Sequence, residues 1–319
     1  MRGIRQNNTK VLKSLVSIAP QCADIRPDAD PFMIETGRDG SFCVGTLITS
    51  GAMKRYLPNA YIDGRVNLTA FDKAVMDAIY TIWTERENPE EDYCEMSYQE
   101  IYKVISGGGV IEINKSTKWK IKSAVYKLTM IMCIIDISSD LPEAVKKMRL
   151  TKCFKEDESE VIIEGTLIQA EFVTVKNANL TVSEGIRLLK CPMLYEYAST
   201  MDQIIWVEEK WLRLPFYLSD KIIGLRDYLI SYIRSYDYKR ATNSSWVGYK
   251  TIFEGAGLQW GELKSTQCKN RKIVNEILKH YIDAKVIKSF EISEDNRNIR
   301  IVSYRITCNN GNQRPLINP

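Results

Sequence analysis

Residues 67–83 read NLTAFDKAVMDAIYTIW and residues 114–127 read NKSTKWKIKSAVYK, and these two stretches, with the order of elements around them, decide the fold. In the first, Phe71, Val75, Ala78, Ile79 and Ile82 recur at helical spacing behind Asn67 or Thr69, either of which can cap a helix. Beyond the acidic turn Asn88 to Asp92, a short helix is predicted over Ser97 to Ile105, with Tyr98, Ile101, Tyr102 and Ile105 inward and Gly107, Gly108 and Gly109 as its stop. The second stretch opens a longer helix, from near Asn114 to about Met132, that runs into Cys133-Ile134-Ile135-Asp136-Ile137, whose β-branched content suits a strand.

The same order returns about 150 residues later. Ser219 caps a helix carrying Ile222, Leu225, Leu229, Ile230 and Ile233, and a short helix follows over Tyr249 to Glu254, closed by Gly255 and Gly257. A long helix over Ser265 to Ala284 then leads to a strand over Val286 to Ile292, a turn at Glu294 to Asn298 and a second strand over Ile299 to Ile306. Helix, short helix, long helix and hairpin is the order of a winged helix, whose hairpin is the wing. Its repetition matters, because a single three-helix pattern occurs in bundles of every function. The expected fold class is therefore α+β, with two tandem winged-helix domains.

Residues 1–66 form an N-terminal extension, in which Phe32 to Thr36 and Ser41 to Ile48 flank Gly37-Arg38-Asp39-Gly40 as a hairpin would. The first winged-helix domain covers 67–191 with an enlarged wing, Val161 to Val175 supplying return strands and Asn179 to Cys191 a helix. Residues 192–218, rich in Tyr and Trp and bounded by Pro192 and Pro215, read as a packed connection rather than a flexible linker. The second domain covers 219–307, and 308–319 is a frayed, apolar-poor tail.

At 319 residues, 45% apolar and 26% charged, the chain can bury two cores without metal or disulfide support. Its longest apolar run, Leu128 to Ile137, is about half a membrane span. Lys13 interrupts the patch behind Arg2, Arg5 and Lys10, so no secretory segment forms and a cytoplasmic address is expected. The eight cysteines are widely scattered with no C-x-x-C pair, which argues against zinc; an even count allows disulfides, but small reduced core residues suit a chain of this size better. His280 is the only histidine and sits at the edge of an apolar stripe, Gly107-Gly108-Gly109 lacks the lysine of a phosphate-binding loop, and Glu90-Glu91-Asp92 stands in a loop without basic or polar company. No metal, no cofactor and no enzymatic reaction are expected.

The net charge of +4 is too small to identify a nucleic-acid partner; its distribution says more. The helix after Asn114 holds five lysines and no acid up to Lys127. At 100° per residue Ile121, Val125, Leu128 and Met132 form one stripe, while Lys115, Trp119, Lys122, Ser123 and Tyr126 lie opposite, joined by Lys120 and Lys127. Lys115, Lys118, Lys120 and Lys122, with Trp119, are candidate phosphate contacts beside a helix N-terminus that itself favours anions; a merely solvated basic helix is the alternative. In the second copy seven basic residues, Lys264, Lys269, Arg271, Lys272, Lys279, Lys285 and Lys288, face two acids, Glu276 and Asp283. Cys268, Lys272, Asn275 and Lys279 fall on one line, the candidate reading face. Arg271 and Asn275 are the candidate base contacts, since Arg and Asn bond base edges whereas Lys more often sits on phosphate. Arg297 and Arg300 mark a wing tip, and Lys239 and Arg240 a loop able to touch backbone, each against the alternative of an ordinary exposed turn.

In LTAFDKAVMDAIY (68–80), PMLYEYA (192–198), LRDYLISYIR (225–234) and the basic run Lys269 to Lys272, the chain resembles the iteron-type plasmid and mobile-element replication initiators, from about Asn67 to Thr307. It departs from them in its long N-terminal stretch and in an insert between Leu141 and Leu180. The resemblance implies recognition of repeated origin sequences in double-stranded DNA by the C-terminal domain, further DNA contact or homodimerisation by the N-terminal one, and recruitment of a host helicase or initiator. A winged-helix transcription regulator is the runner-up, and a relaxase or recombinase a third reading; direct repeats beside the gene would favour the initiator, inverted repeats the regulator.

Overall fold

The computed structural model describes residues 3–7, 35–36, 42–43, 59–63, 68–86, 93–109, 112–130, 132–136, 162–177, 180–200, 204–239 and 246–303. The chain divides into two units, an N-terminal one of Ile4–Ile105 and Val110–Trp206, and a C-terminal one of Met1–Gly3, Ser106–Gly109 and Val207–Pro319. The class is α+β, with small antiparallel sheets in both. Among the described residues, no helix is long and apolar enough to cross a membrane.

In chain order the N-terminal unit holds β1 (Gly3–Asn7), β2 (Glu35–Thr36), β3 (Phe42–Cys43), β4 (Asn59–Asp63), α1 (Ala70–Arg86), β5 (Cys94–Ser97), α2 (Tyr98–Ile105), α3 (Lys115–Met130), β6 (Met132–Asp136), β7 (Ile162–Thr166), β8 (Ala170–Asn177), β9 (Leu180–Leu188) and α4 (Met193–Thr200). β10 (Ile204–Glu208), paired with β1, carries the chain onward. The C-terminal unit follows with α5 (Glu209–Leu212), α6 (Asp220–Lys239), β11 (Val247–Gly248), α7 (Tyr249–Gly255), α8 (Lys264–Asp283), β12 (Ile287–Ile292) and β13 (Asn298–Ser303).

The helix starts follow from local chemistry. Thr69 and Asp72 close a capping box at α1, the Asp72 carboxylate accepting the Thr69 N–H at 2.8 Å and the Thr69 hydroxyl the Asp72 N–H at 3.3 Å. Ser97 and Glu100 do the same for α2, at 2.8 and 3.2 Å. Asn114 caps α3 through the Thr117 N–H at 2.8 Å, and Ser219 caps α6 through the Ile222 N–H at 3.4 Å. Two-turn amphipathicity does not describe α1, however: every residue from Phe71 to Ile82 is buried, including Asp72, Lys73, Asp77 and Thr81. Its polar side is covered by β1, whose Arg5 N–H reaches the Thr81 hydroxyl at 2.8 Å, and by α4, whose Tyr195 hydroxyl donates to the Asp77 carboxylate.

Both units use one connectivity. In the N-terminal unit the sheet order is β5-β9-β8, so the strand between the first two helices pairs with the second strand of the hairpin that follows the third; in the C-terminal unit the order β11-β13-β12 repeats this. Neither β5 nor β11 is expected from the sequence, being four and two residues long. Three further expectations need correction. Asn179 to Cys191 is not a helix: Leu180–Leu188 is β9, the middle strand, hydrogen-bonded to β5 on one side and β8 on the other. The strand expected at Cys133 is not the wing: β6 is the centre of a separate sheet, β4-β6-β7, whose strands β6 and β7 lie in sequence between α3 and the hairpin, so the counterpart of β12–β13 is β8–β9. Met132 belongs to that strand and not to the apolar stripe of α3, which ends at Met130. The N-terminal hairpin is present where β2 pairs with β3, Glu35 opposite Cys43 and Thr36 opposite Phe42. Its turn, most of the insert, the acidic turn at Asn88 to Asp92 and the tail lie outside the described residues.

Gly185 explains why β9 can sit in the middle. A Cβ there would stand 2.2 Å from the Met96 carbonyl oxygen and 2.8 Å from Ser97 Cα, both backbone atoms of β5. Gly185→Ala should therefore force β5 off β9 and lower the unit's stability by roughly 1–3 kcal/mol, read as a shift of the urea midpoint. A change below about 0.5 kcal/mol would show that β5 is not fixed by this contact.

Candidate nucleic-acid interface

The C-terminal unit presents α8 with two unlike sides. Asn270, Val274, Ile277, Leu278 and Tyr281 are buried at i, i+4, i+7, i+8 and i+11, the stripe expected of a core-facing helix. Asn270 satisfies its burial by accepting from Lys221 Nζ at 2.6 Å and donating to the Trp260 carbonyl at 2.7 Å. On the other side Lys264, Ser265, Cys268, Lys269, Lys272 and Lys279 are exposed, the Lys272 side chain to 78% with only a loose 3.9 Å approach to Glu276.

Arg271 and Asn275 flank this exposed row, and both are engaged within the unit. Arg271 Nη1 donates to the Asn296 carbonyl at 3.0 Å, tying α8 to the β12–β13 turn, and Nη2 approaches Cys268 Sγ at 3.3 Å. Asn275 Oδ1 accepts from the Tyr249 hydroxyl at 2.6 Å, which fastens α8 to α7. Burial pushes the Tyr249 phenol up, outweighing the Asn275 hydrogen bond and the nearby Arg271 charge, so it stays a neutral donor.

The hairpin turn is built around Asn296, the one residue there with a left-handed φ, at 56°. Hydrogen bonds from the Ser293 hydroxyl and the Arg297 N–H hold the Asp295 carboxyl below the usual carboxylate range. Arg297 projects from the tip with its side chain 82% exposed, while Arg300 leans 3.6 Å from Glu291 on β12. Lys239 is the last residue of α6 and not a loop residue, and Arg240 lies outside the described residues.

In the N-terminal unit α3 buries Thr117, Ile121, Ala124, Val125 and Leu128. Lys115, Trp119, Lys122 and Tyr126, at i, i+4, i+7 and i+11, line the exposed side, Trp119 to 69% and Tyr126 to 58%. Two of the lysines serve the fold instead. Lys127 pairs at 2.9 Å with the almost buried Asp72 of the α1 cap, and Lys118 stands 3.7 Å from Glu184 on β9; Lys120 is half-exposed.

Sequence reasoning left Phe172 out of this surface. From β8 it lies 6.4 Å from the Tyr126 ring, with Lys122 Nζ 5.8 Å from its centroid. No alternation marks it, since β8 is largely exposed along its length; assigning β8 to the hairpin beside α3 was the missing step. His280 is half-buried beside Tyr281, with Nε2 shielded from solvent. Cys94 is buried, Cys191 half-buried and Cys268 exposed, all as free thiols. Among the described residues, no group of three or more His, Cys, Asp or Glu side chains is placed to hold a metal ion.

No family model and no curated protein matches the sequence. The chain is similar to two crystal structures of domains 2 and 3 of RctB. A selenomethionine form shares 11% identity at a TM-score of 0.44 over 77% of this chain and 87% of that one. The other shares 10% identity at a TM-score of 0.42 over 91% of this chain and 98% of that one.

Proposed function

We propose that both units are winged helices and that the chain binds double-stranded DNA sequence-specifically, as a cytoplasmic replication initiator of a plasmid or mobile element with no reaction of its own. The observation that carries this reading is the C-terminal unit's exposed basic row on α8, set beside a wing tip bearing Arg297 and tied to it by Arg271. A helix of this kind fits the major groove with its lysines on phosphates, and the wing reaches the neighbouring backbone or minor groove. The shared connectivity of the two sheets supports a winged-helix assignment for both units.

The initiator part rests on the resemblance of the quoted segments. Two of them are packed on each other: Tyr195 of PMLYEYA donates to Asp77 of LTAFDKAVMDAIY, and its ring lies 4.8 Å from that of Tyr80. Under the same reading the bound chain self-associates and recruits a host helicase or initiator.

The test is selection of a preferred duplex from random DNA, followed by titration of that site and of a scrambled one. Arg271→Ala and Asn275→Ala should each cost about 1–3 kcal/mol on the selected site and much less on the scrambled one. Equal losses on both would mean that these residues act only by bracing the wing and α7. No preferred duplex at all would overturn specific recognition. Nicking of supercoiled plasmid in Mg²⁺, abolished by a single Tyr or Asp substitution, would overturn the absence of a reaction.

A further inference from the structure

The two exposed helix faces differ in chemistry, and the difference points to different forms of nucleic acid. The α8 row is polar and basic, flanked by Arg271 and Asn275. The α3 row alternates cation and ring: Lys115, Trp119, Lys122, Tyr126, separated along the helix axis by about 6, 4.5 and 6 Å. From β8 of the same unit Phe172, 38% exposed, extends this row beside Tyr126. Within α3 itself there is no Arg, Asn or Gln, the side chains that pair best with base edges in a groove.

Exposed rings interleaved with lysines are a poor match to a duplex. Its base faces are covered by their neighbours, so a ring entering a groove meets only edges. An unpaired strand offers both components, a phosphate at each step for the lysines and a free base face for each ring. Large aromatic side chains left this open also cost solvation that a stacked base would recover. The absence of any carboxylate from the Lys115–Met130 helix argues for an anionic partner over an apolar protein surface.

We infer that the α3–β8 face of the N-terminal unit binds single-stranded DNA by stacking bases on Trp119, Tyr126 and Phe172, with Lys115 and Lys122 on its phosphates. This rests on the proposed DNA-binding function and divides it: α8 takes the duplex and α3 an opened strand.

The test uses the full chain with labelled oligo(dT) and with the selected duplex, each followed by fluorescence anisotropy. Trp119→Ala, Tyr126→Ala and Phe172→Ala should each weaken oligo(dT) binding on the order of tenfold or more while leaving duplex affinity within about twofold. Trp119→Phe, which keeps a ring, should restore most of the loss. Trp119 is so exposed that its substitution should leave the urea midpoint unchanged, which separates loss of stacking from loss of fold.

A chain that binds the duplex but not oligo(dT) overturns this inference and leaves the proposed function standing; one that binds neither overturns both. Equal loss on oligo(dT) and duplex would make the rings part of duplex binding and overturn the division. So would Trp119→Ala converting a dimer to a monomer in sedimentation without changing oligo(dT) affinity, since the face would then be covered by a second copy.

Discussion

Asp77→Ala is expected to destabilise the N-terminal unit by about 3–5 kcal/mol, the range for breaking a buried ion pair from one side. Asp77 is fully buried, and its Oδ2 accepts from Lys73 Nζ at 2.6 Å, the lysine itself only 9% exposed. Its Oδ1 accepts from the buried Tyr195 hydroxyl. Removing the carboxylate leaves an ammonium and a phenol in the core with their acceptor gone, and an uncompensated buried charge is what makes such a change costly. The urea midpoint, followed by far-UV circular dichroism, should fall accordingly. The triple change Lys73→Met, Asp77→Leu and Tyr195→Phe, which removes the ammonium and the phenol along with their acceptor, should recover most of the loss, because apolar side chains of similar volume can replace a buried pair at little cost. A single-variant loss below about 1 kcal/mol would mean that the pair is not shielded as described. The consequence for the fold is local: this carboxylate is what α4 holds on α1.

Asp77 also shows what the sequence could not say. Read alone, residues 71–82 have an apolar stripe and a polar remainder, and the remainder looks solvated. It is buried because β1 and α4, distant in the chain, cover it. The three helices of each repeat were legible, since their signals are local: period 3.6, a Thr, Ser or Asn at the start and Gly at the stop; α4 and α5, within the stretch read as a connection, were not. The long helix expected over Ser265 to Ala284 is Lys264–Asp283.

Strands were less legible in proportion to how far away their partners are. β9 contains Leu180, Ile186 and Leu188 around a glycine, a composition open to a helix; what makes it a strand is pairing on both sides, with the adjacent β8 and with β5 some ninety residues earlier (Met96 opposite Ile186). β5 and β11 are too short to show any period. At the candidate interface the sequence revealed the exposed rows but not their internal commitments. Arg271 and Asn275 lie 25 and 26 residues from the groups they bond, a turn and a helix that no spacing rule connects to them.

The exposed lysines of α8 carry the other large expected effect. Replacing Lys264, Lys269, Lys272 and Lys279 together by alanine should reduce the salt dependence of duplex binding by about 3.6 in the slope of log K against log salt, at 0.9 per phosphate contact. At physiological ionic strength that corresponds to roughly a thousandfold loss of affinity, shrinking as salt approaches 1 M. The four sit on the side of α8 away from the buried Val274, Ile277 and Tyr281, so the fold should survive and the urea midpoint should hardly move. Lys127→Ala provides the opposite case. That lysine is tied to Asp72 at the α1 cap, so its loss should lower stability by about 1 kcal/mol and leave the salt slope unchanged. If the fourfold variant keeps the slope of the parent chain, the row does not meet phosphate and is only a solvated face. If Lys127→Ala alters the slope as well, the ion pair with Asp72 opens on binding, and the N-terminal helix start is part of the DNA surface.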